Sequence, residues 1–166
     1  DTFMAGTQLI GENVLDAVRN VVTCAPDYLV MGMSAVTFYG GAAGADAFQK
    51  KVETEAGLGI SIGSHSCTAA LKAYGNVKRI AFLSPYYPVA NAEVRRYFTD
   101  SGFEVVRDIY LECKSWTAIA EVTPDELRER LIGLNGKGRD VDPIVQVGTN
   151  LSMGRFALAA GLWLAK

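Results

Sequence analysis

Short continuous apolar runs alternate along this chain with stretches of helical spacing. Leu9, Val14, Leu15, Val18, Val21 and Val22 fall on one helical face, and Cys24-Ala-Pro-Asp27 breaks that helix. Tyr28 to Met33 is an unbroken apolar run, the pattern of a strand covered on both faces. The glycine-rich turn Phe38 to Ala45 leads into an amphipathic helix over 46–56, closed by Gly57. Leu58 to Ile62 reads as a second strand. Ser64-His-Ser-Cys-Thr68 offers N-cap hydroxyls to a helix reaching Tyr74, ended by Gly75-Asn76. Arg79 to Leu83 is a third strand, followed by the stiff turn Pro85-Tyr-Tyr-Pro88 and a helix over 89–100. Phe103 to Tyr110 alternates as a strand does. Thr123-Pro-Asp-Glu126 is a capping box with proline at the first helical position, opening a helix to Leu134. Asn135-Gly-Lys-Gly138 reads as a loop, Ile144 to Val147 as a strand and Met153 to Leu164 as a helix.

Strand and helix alternate throughout, which implies an α/β fold with parallel strands and right-handed crossovers. The break at Gly75 to Lys78 divides the pattern into two α/β lobes, 1–76 and 77–166, that share a strand–turn–helix rhythm. The chain opens at Asp1 directly in a helical pattern and stops at Lys166 without a cap. The expectation is therefore a portion of a longer protein, with the first strand and the C-terminal end missing.

Composition narrows the function. With 166 residues, 49% of them hydrophobic, the chain can bury a real core. The formal net charge is −2, and the charges are scattered without a basic stripe, so nucleic acid is not an expected partner. No apolar run reaches the length of a membrane span. Cys24, Cys67 and Cys113 are too few and too far apart for a disulfide framework or a zinc site, which suits a reducing, cytoplasmic setting. Small molecules or other subunits are the expected partners, and no metal is expected.

Three strands run into polar turns, the first and third of them glycine-bearing, and in open α/β sheets ligands bind where strands end. The first turn carries Gly32, Met33, Ser34 and Thr37, with backbone N–H groups and hydroxyls suited to an anion. The second carries Tyr86 and Asn91, the third Gly148, Thr149 and Asn150. Each residue has a plainer reading: glycines for tight packing, hydroxyls as caps, Tyr86 as a packing residue. Cys67 reads two ways, as a helix-start thiol with a lowered pKa or as a small buried apolar residue. His65, the only histidine, would have to serve any serine–histidine–aspartate triad, but nothing marks a nucleophile elbow. Neither a Walker loop nor a dinucleotide fingerprint is present. Gly40-Gly41 leaves room for a flavodoxin-like or sugar-phosphate-binding reading.

On Met31-Gly-Met-Ser-Ala-Val-Thr-Phe-Tyr-Gly-Gly41, Ser64-His-Ser-Cys-Thr-Ala-Ala-Leu71, Arg79-Ile-Ala-Phe-Leu-Ser-Pro-Tyr-Tyr-Pro88 with Asn91, and the strand before Gly148-Thr-Asn150, the chain resembles the maleate isomerase and arylmalonate decarboxylase branch of the aspartate/glutamate racemase superfamily. The resemblance implies two similar flavodoxin-like lobes with the site between them. It also implies no cofactor and a small carboxylate substrate, maleate- or malonate-like. The reaction would be isomerisation or decarboxylation through an enediolate held in an oxyanion pocket, and homo-oligomers occur in the family. Carry-over assigns Ser34 with Gly32 or Met33 to the first carboxylate loop, Tyr86 and Asn91 to the tyrosine loop, and Gly148 with Thr149 to the second loop, while the reading of the residues themselves adds Thr37 and Asn150 to substrate binding and offers Tyr86 and Cys67 as catalytic candidates. The resemblance also implies a cysteine on one or both sides of the pocket. Those positions fall near Met33 and Gly148, so a thiol mechanism does not carry over. A non-catalytic carboxylate-binding or sensing protein is the alternative.

Overall fold

The computed structural model describes residues 2–136 and 140–163. The chain order is α1 (Thr2–Val22), β1 (Leu29–Val30), a 3₁₀ turn (Ala35–Phe38), α2 (Gly41–Ala56), β2 (Ile60–Ser61), α3 (Gly63–Ala73), β3 (Arg79–Ser84), α4 (Pro88–Asp100), β4 (Glu104–Tyr110), α5 (Trp116–Ala120), α6 (Pro124–Asn135), β5 (Ile144–Gln146) and α7 (Gly154–Trp163). All strand pairings are parallel. β1 and β2 form one sheet, and β3 lies between β4 and β5 in another. The expected α/β architecture of parallel sheets flanked by helices is what the chain adopts.

β3 is the spine of the larger sheet. Successive side chains of a strand point to opposite faces, and here both faces are covered. Ile80 and Phe82 enter a cluster with Phe38, Val52, Ile62, Tyr97 and Phe98. Ala81 and Leu83 enter a second cluster with Ile119, Leu127, Leu131, Leu134 and Phe156. All four of these β3 residues are fully buried. The first cluster draws on elements from both halves of the chain, with α4 packed against α2.

Some elements differ from the sequence pattern. The apolar run at 28–33 gives a ladder of only two residues, because β2 offers just Ile60 and Ser61 as partners. Helix α2 starts at Gly41, inside the stretch expected as a turn. The N-cap of α3 is Ile62, with no side-chain capping bond, so Ser64-His-Ser-Cys-Thr68 does not cap this helix. Thr123 does cap α6, its Oγ1 accepting from Glu126 N at 3.3 Å. The 3₁₀ turn and α5 were not expected at all. The end of the loop at 135–138 and the last residue of the helix expected over 153–164 lie outside the described residues. Among the described residues, no helix is long and apolar enough to cross a membrane.

Candidate functional site

Three strand ends converge. β1 runs into Met31–Ser34, β3 into Ser84–Tyr87 and β5 into Val147–Asn150. The side chains at their tips are within hydrogen-bonding reach. Ser34 Oγ lies 3.1 Å from Tyr86 OH and 3.3 Å from Thr149 Oγ1. The Ser34 N–H also donates to Thr149 Oγ1 at 3.2 Å. Beside this trio is a cavity of about 260 Å³. Gly32, Met33, Ser34, Tyr86, Gly148, Thr149 and Asn150, from all three turns, line it together with the apolar Ala35, Trp116 and Ile119.

Tyr86 is 3% exposed. Burial pushes its phenol up to about 12, against a lowering by the Ser34 hydrogen bond and a smaller raising by Cys67. The phenol therefore keeps its proton at neutral pH and can donate a hydrogen bond into the cavity. Asn150 lines the cavity while its amide donates to Trp116 O at 3.2 Å, tying the β5 turn to α5. Gly148 has φ +135°, and a Cβ there would lie 2.5 Å from Pro85 Cδ. Only glycine lets the third turn lie directly against the proline that precedes Tyr86.

Three expected site residues lie off the cavity wall. Thr37 is fully buried. Its hydroxyl donates to Ser34 O at 2.7 Å and accepts from Ser64 N at 3.1 Å, so it braces the first turn from behind. Asn91 is 4% exposed, and its amide is bonded to Ser84 and Asp108. Cys67 is the fifth residue of α3, one turn past the helix start where a dipole would act. Burial pushes its thiol up to about 11, so the apolar reading of this residue fits its surroundings and the lowered pKa does not. It lines a separate groove with Leu71, Val145 and Phe156. His65 is occupied elsewhere, with Nδ1 on Gln49 and Nε2 3.1 Å from Asp46. Among the described residues, no three His, Cys, Asp or Glu side chains gather into a metal-binding group.

Sequence reasoning missed the apolar wall. Trp116 and Ile119 stand three residues apart behind the helix cap Ser115, whose Oγ accepts from Ala118 N at 3.0 Å. That i, i+3 apolar pair after a serine was the available signal. A wider cleft adjoins the cavity across Tyr86, Trp116 and Ile119, and Cys113 and Lys114 lie along it. Burial, with a smaller effect of Glu126, raises the Cys113 thiol.

Polar groups from separate crossovers meeting at the ends of parallel strands define an α/β protein with a cavity at its strand ends. The family model described as arylmalonate decarboxylase matches residues 6–155, and the chain belongs to that family. Its fold is similar to a liganded double mutant of arylmalonate decarboxylase, with TM-score 0.87 and 17% identity over 97% of this chain and 68% of that one. It is also similar to a Nocardia farcinica maleate cis-trans isomerase mutant carrying a covalently bound succinylcysteine intermediate, with TM-score 0.86, 16% identity, and 97% and 67% of the two chains covered. Maleate isomerase from Pseudomonas putida gives 0.84 at 17% identity, covering 93% of this chain and 64% of that one. The chain thus spans about two thirds of the length of these neighbours. No curated protein matches the sequence.

Proposed function

We propose that this chain carries the site of a cofactor-independent decarboxylase or isomerase acting on a small carboxylate, malonate-like or maleate-like. The carrying observation is that Ser34, Tyr86 and Thr149, separated by up to 115 residues, bring their hydroxyls together beside one small cavity. That volume falls below the roughly 300–1,000 Å³ of drug-sized pockets, which suits a small acid. We take 1–76 and 77–166 as the two lobes that supply its sides.

Loss of carbon dioxide from a malonate breaks one C–C bond and leaves the electron pair on the remaining carboxylate as an enediolate. Hydroxyl and N–H donors fixed where that charge develops lower the barrier. Ser34, Thr149 and the neutral Tyr86 phenol are such donors, and the carbon then takes a proton, with Tyr86 as the donor in this reading. Trp116 and Ile119 would hold the apolar substituent.

The missing pocket thiol bears on both reactions, since the resemblance gives isomerases two pocket cysteines and decarboxylases one. Turning a C=C bond requires converting it transiently to a single bond, for which an added thiol is one route. No cysteine lines the cavity. The same observation favours the second reading, a protein that binds small carboxylates without turning them over.

Carbon dioxide release from phenylmalonate and fumarate formation from maleate, measured with wild type and Tyr86→Phe, test both readings. A decarboxylase slowed on the order of 10²-fold by Tyr86→Phe is expected. Equal rates in the two proteins remove Tyr86 from the chemistry. A rise in melting temperature with malonate but no turnover leaves the binding reading.

A further inference from the structure

A run of hydrogen-bonded side chains leads from beneath Tyr86 to the protein surface without touching the cavity. The Tyr86 N–H donates to Ser84 Oγ at 3.4 Å, and the Ser84 hydroxyl donates to Asn91 Oδ1 at 2.7 Å. The Asn91 amide donates to Asp108 Oδ2, and Arg95 donates to Asp108 Oδ1 and, at 3.0 Å, to Val105 O. Ser84 is fully enclosed and Asn91 nearly so. Buried polar groups keep their partners, so this run has one direction. Arg95 holds the Asp108 carboxylate. The carboxylate can only accept, which turns the Asn91 NH₂ toward it and the Asn91 oxygen toward Ser84. Ser84 then spends its proton on Asn91 and offers a lone pair to the Tyr86 N–H.

The opposite side of the tyrosine loop is held by backbone. Leu111 N donates to Ser84 O at 3.0 Å, Glu112 N to Tyr86 O at 3.2 Å and Cys113 N to Pro85 O at 3.0 Å. Glu112 adopts φ +49° to make that turn, an uncommon conformation for a residue with a side chain.

We propose that Asn91 and Asp108 are positioning residues that set the tyrosine loop, and through it the phenol 3.1 Å from Ser34 Oγ. The significance of that position rests on the reading of Tyr86 as a donor to substrate. Asn91 acts through Ser84 rather than on the ligand.

Exchanging donor and acceptor tests this. Asn91→Asp sets a carboxylate against Asp108. It should speed amide hydrogen exchange at Tyr86, Leu111, Glu112 and Cys113 by about tenfold or more relative to α6, and weaken malonate binding to a similar degree. Asn91→Asp combined with Asp108→Asn restores complementarity and should return both readouts to within about threefold of wild type. Unchanged exchange at Tyr86 in the single variant overturns the proposal. So does an equal acceleration throughout α6, which would mean a role in overall stability only. If the single variant does not fold, the double variant decides: native exchange at Tyr86 supports the proposal, and misfolding or fast exchange there overturns it. A wild type that binds no malonate defeats the functional reading, while the exchange data still judge the network. Normal malonate binding by Asn91→Asp overturns the network and leaves that reading standing.

Discussion

Gly32 and Gly148 face the same cavity from two strand ends, yet they are glycines for different reasons. At Gly32 an added Cβ would meet nothing within 4 Å. At Gly148 it would strike the Pro85 ring, on a backbone already at φ +135°. At the first turn a side chain in place of the glycine would meet open space. The third turn is closed and its glycine lets two loops touch. A glycine at a strand end is thus uninformative until its neighbours are known.

The largest expected effect lies on the closed side. Gly148→Ala should destabilise the protein by about 3 kcal/mol, combining overpacking against Pro85 with backbone strain. Urea unfolding measures it, and a loss below about 1 kcal/mol would erase the distinction between the two glycines.

Tyr86 gives the next effect. Its phenol is raised from 10 to about 12 in the folded protein. The folded state therefore holds this proton more tightly than the unfolded chain, and stability is lost as pH rises from 10 through 12. The loss is about 2–3 kcal/mol. Tyr86→Phe should flatten that alkaline limb, and a parallel limb in both proteins would contradict the burial of the phenol.

Ser34→Ala removes the hydroxyl shared by Tyr86 and Thr149 but keeps the backbone N–H. Malonate affinity should fall about tenfold, read by calorimetry, with a change of only about 1 kcal/mol in stability. Gly32→Ala should cost least in folding, within roughly 0.5–1 kcal/mol. It should nonetheless weaken ligand binding, because its methyl occupies cavity space. Native affinity in Gly32→Ala would mean the ligand sits elsewhere.

The sequence made β3 and the three polar turns legible because burial on both faces and polar, glycine- or proline-bearing strand ends are local patterns. Ser34, Tyr86 and Thr149 could be named as partners for that reason. Thr37 could not be placed: whether a hydroxyl points into a pocket or back onto Ser34 O depends on the 3₁₀ turn, which leaves no periodic trace in four residues. Asn91 misled in the same way, since a buried amide serving Asp108 and one serving a ligand are identical as letters. Cys67 was ambiguous because its pKa follows from what covers it, and that cover comes from distant elements. The apolar wall at Trp116 and Ile119 was missed because a one-turn helix carries too short a pattern to stand out.

The Ser34 hydroxyl already has both Tyr86 OH and Thr149 Oγ1 within hydrogen-bonding distance. An incoming molecule must do better than a hydroxyl does for its neighbour. A neutral amide or alcohol offers little improvement, whereas a full negative charge shared over two oxygens strengthens every bond it replaces. In the proposed reading the cavity therefore selects anions over their uncharged look-alikes before any chemistry begins.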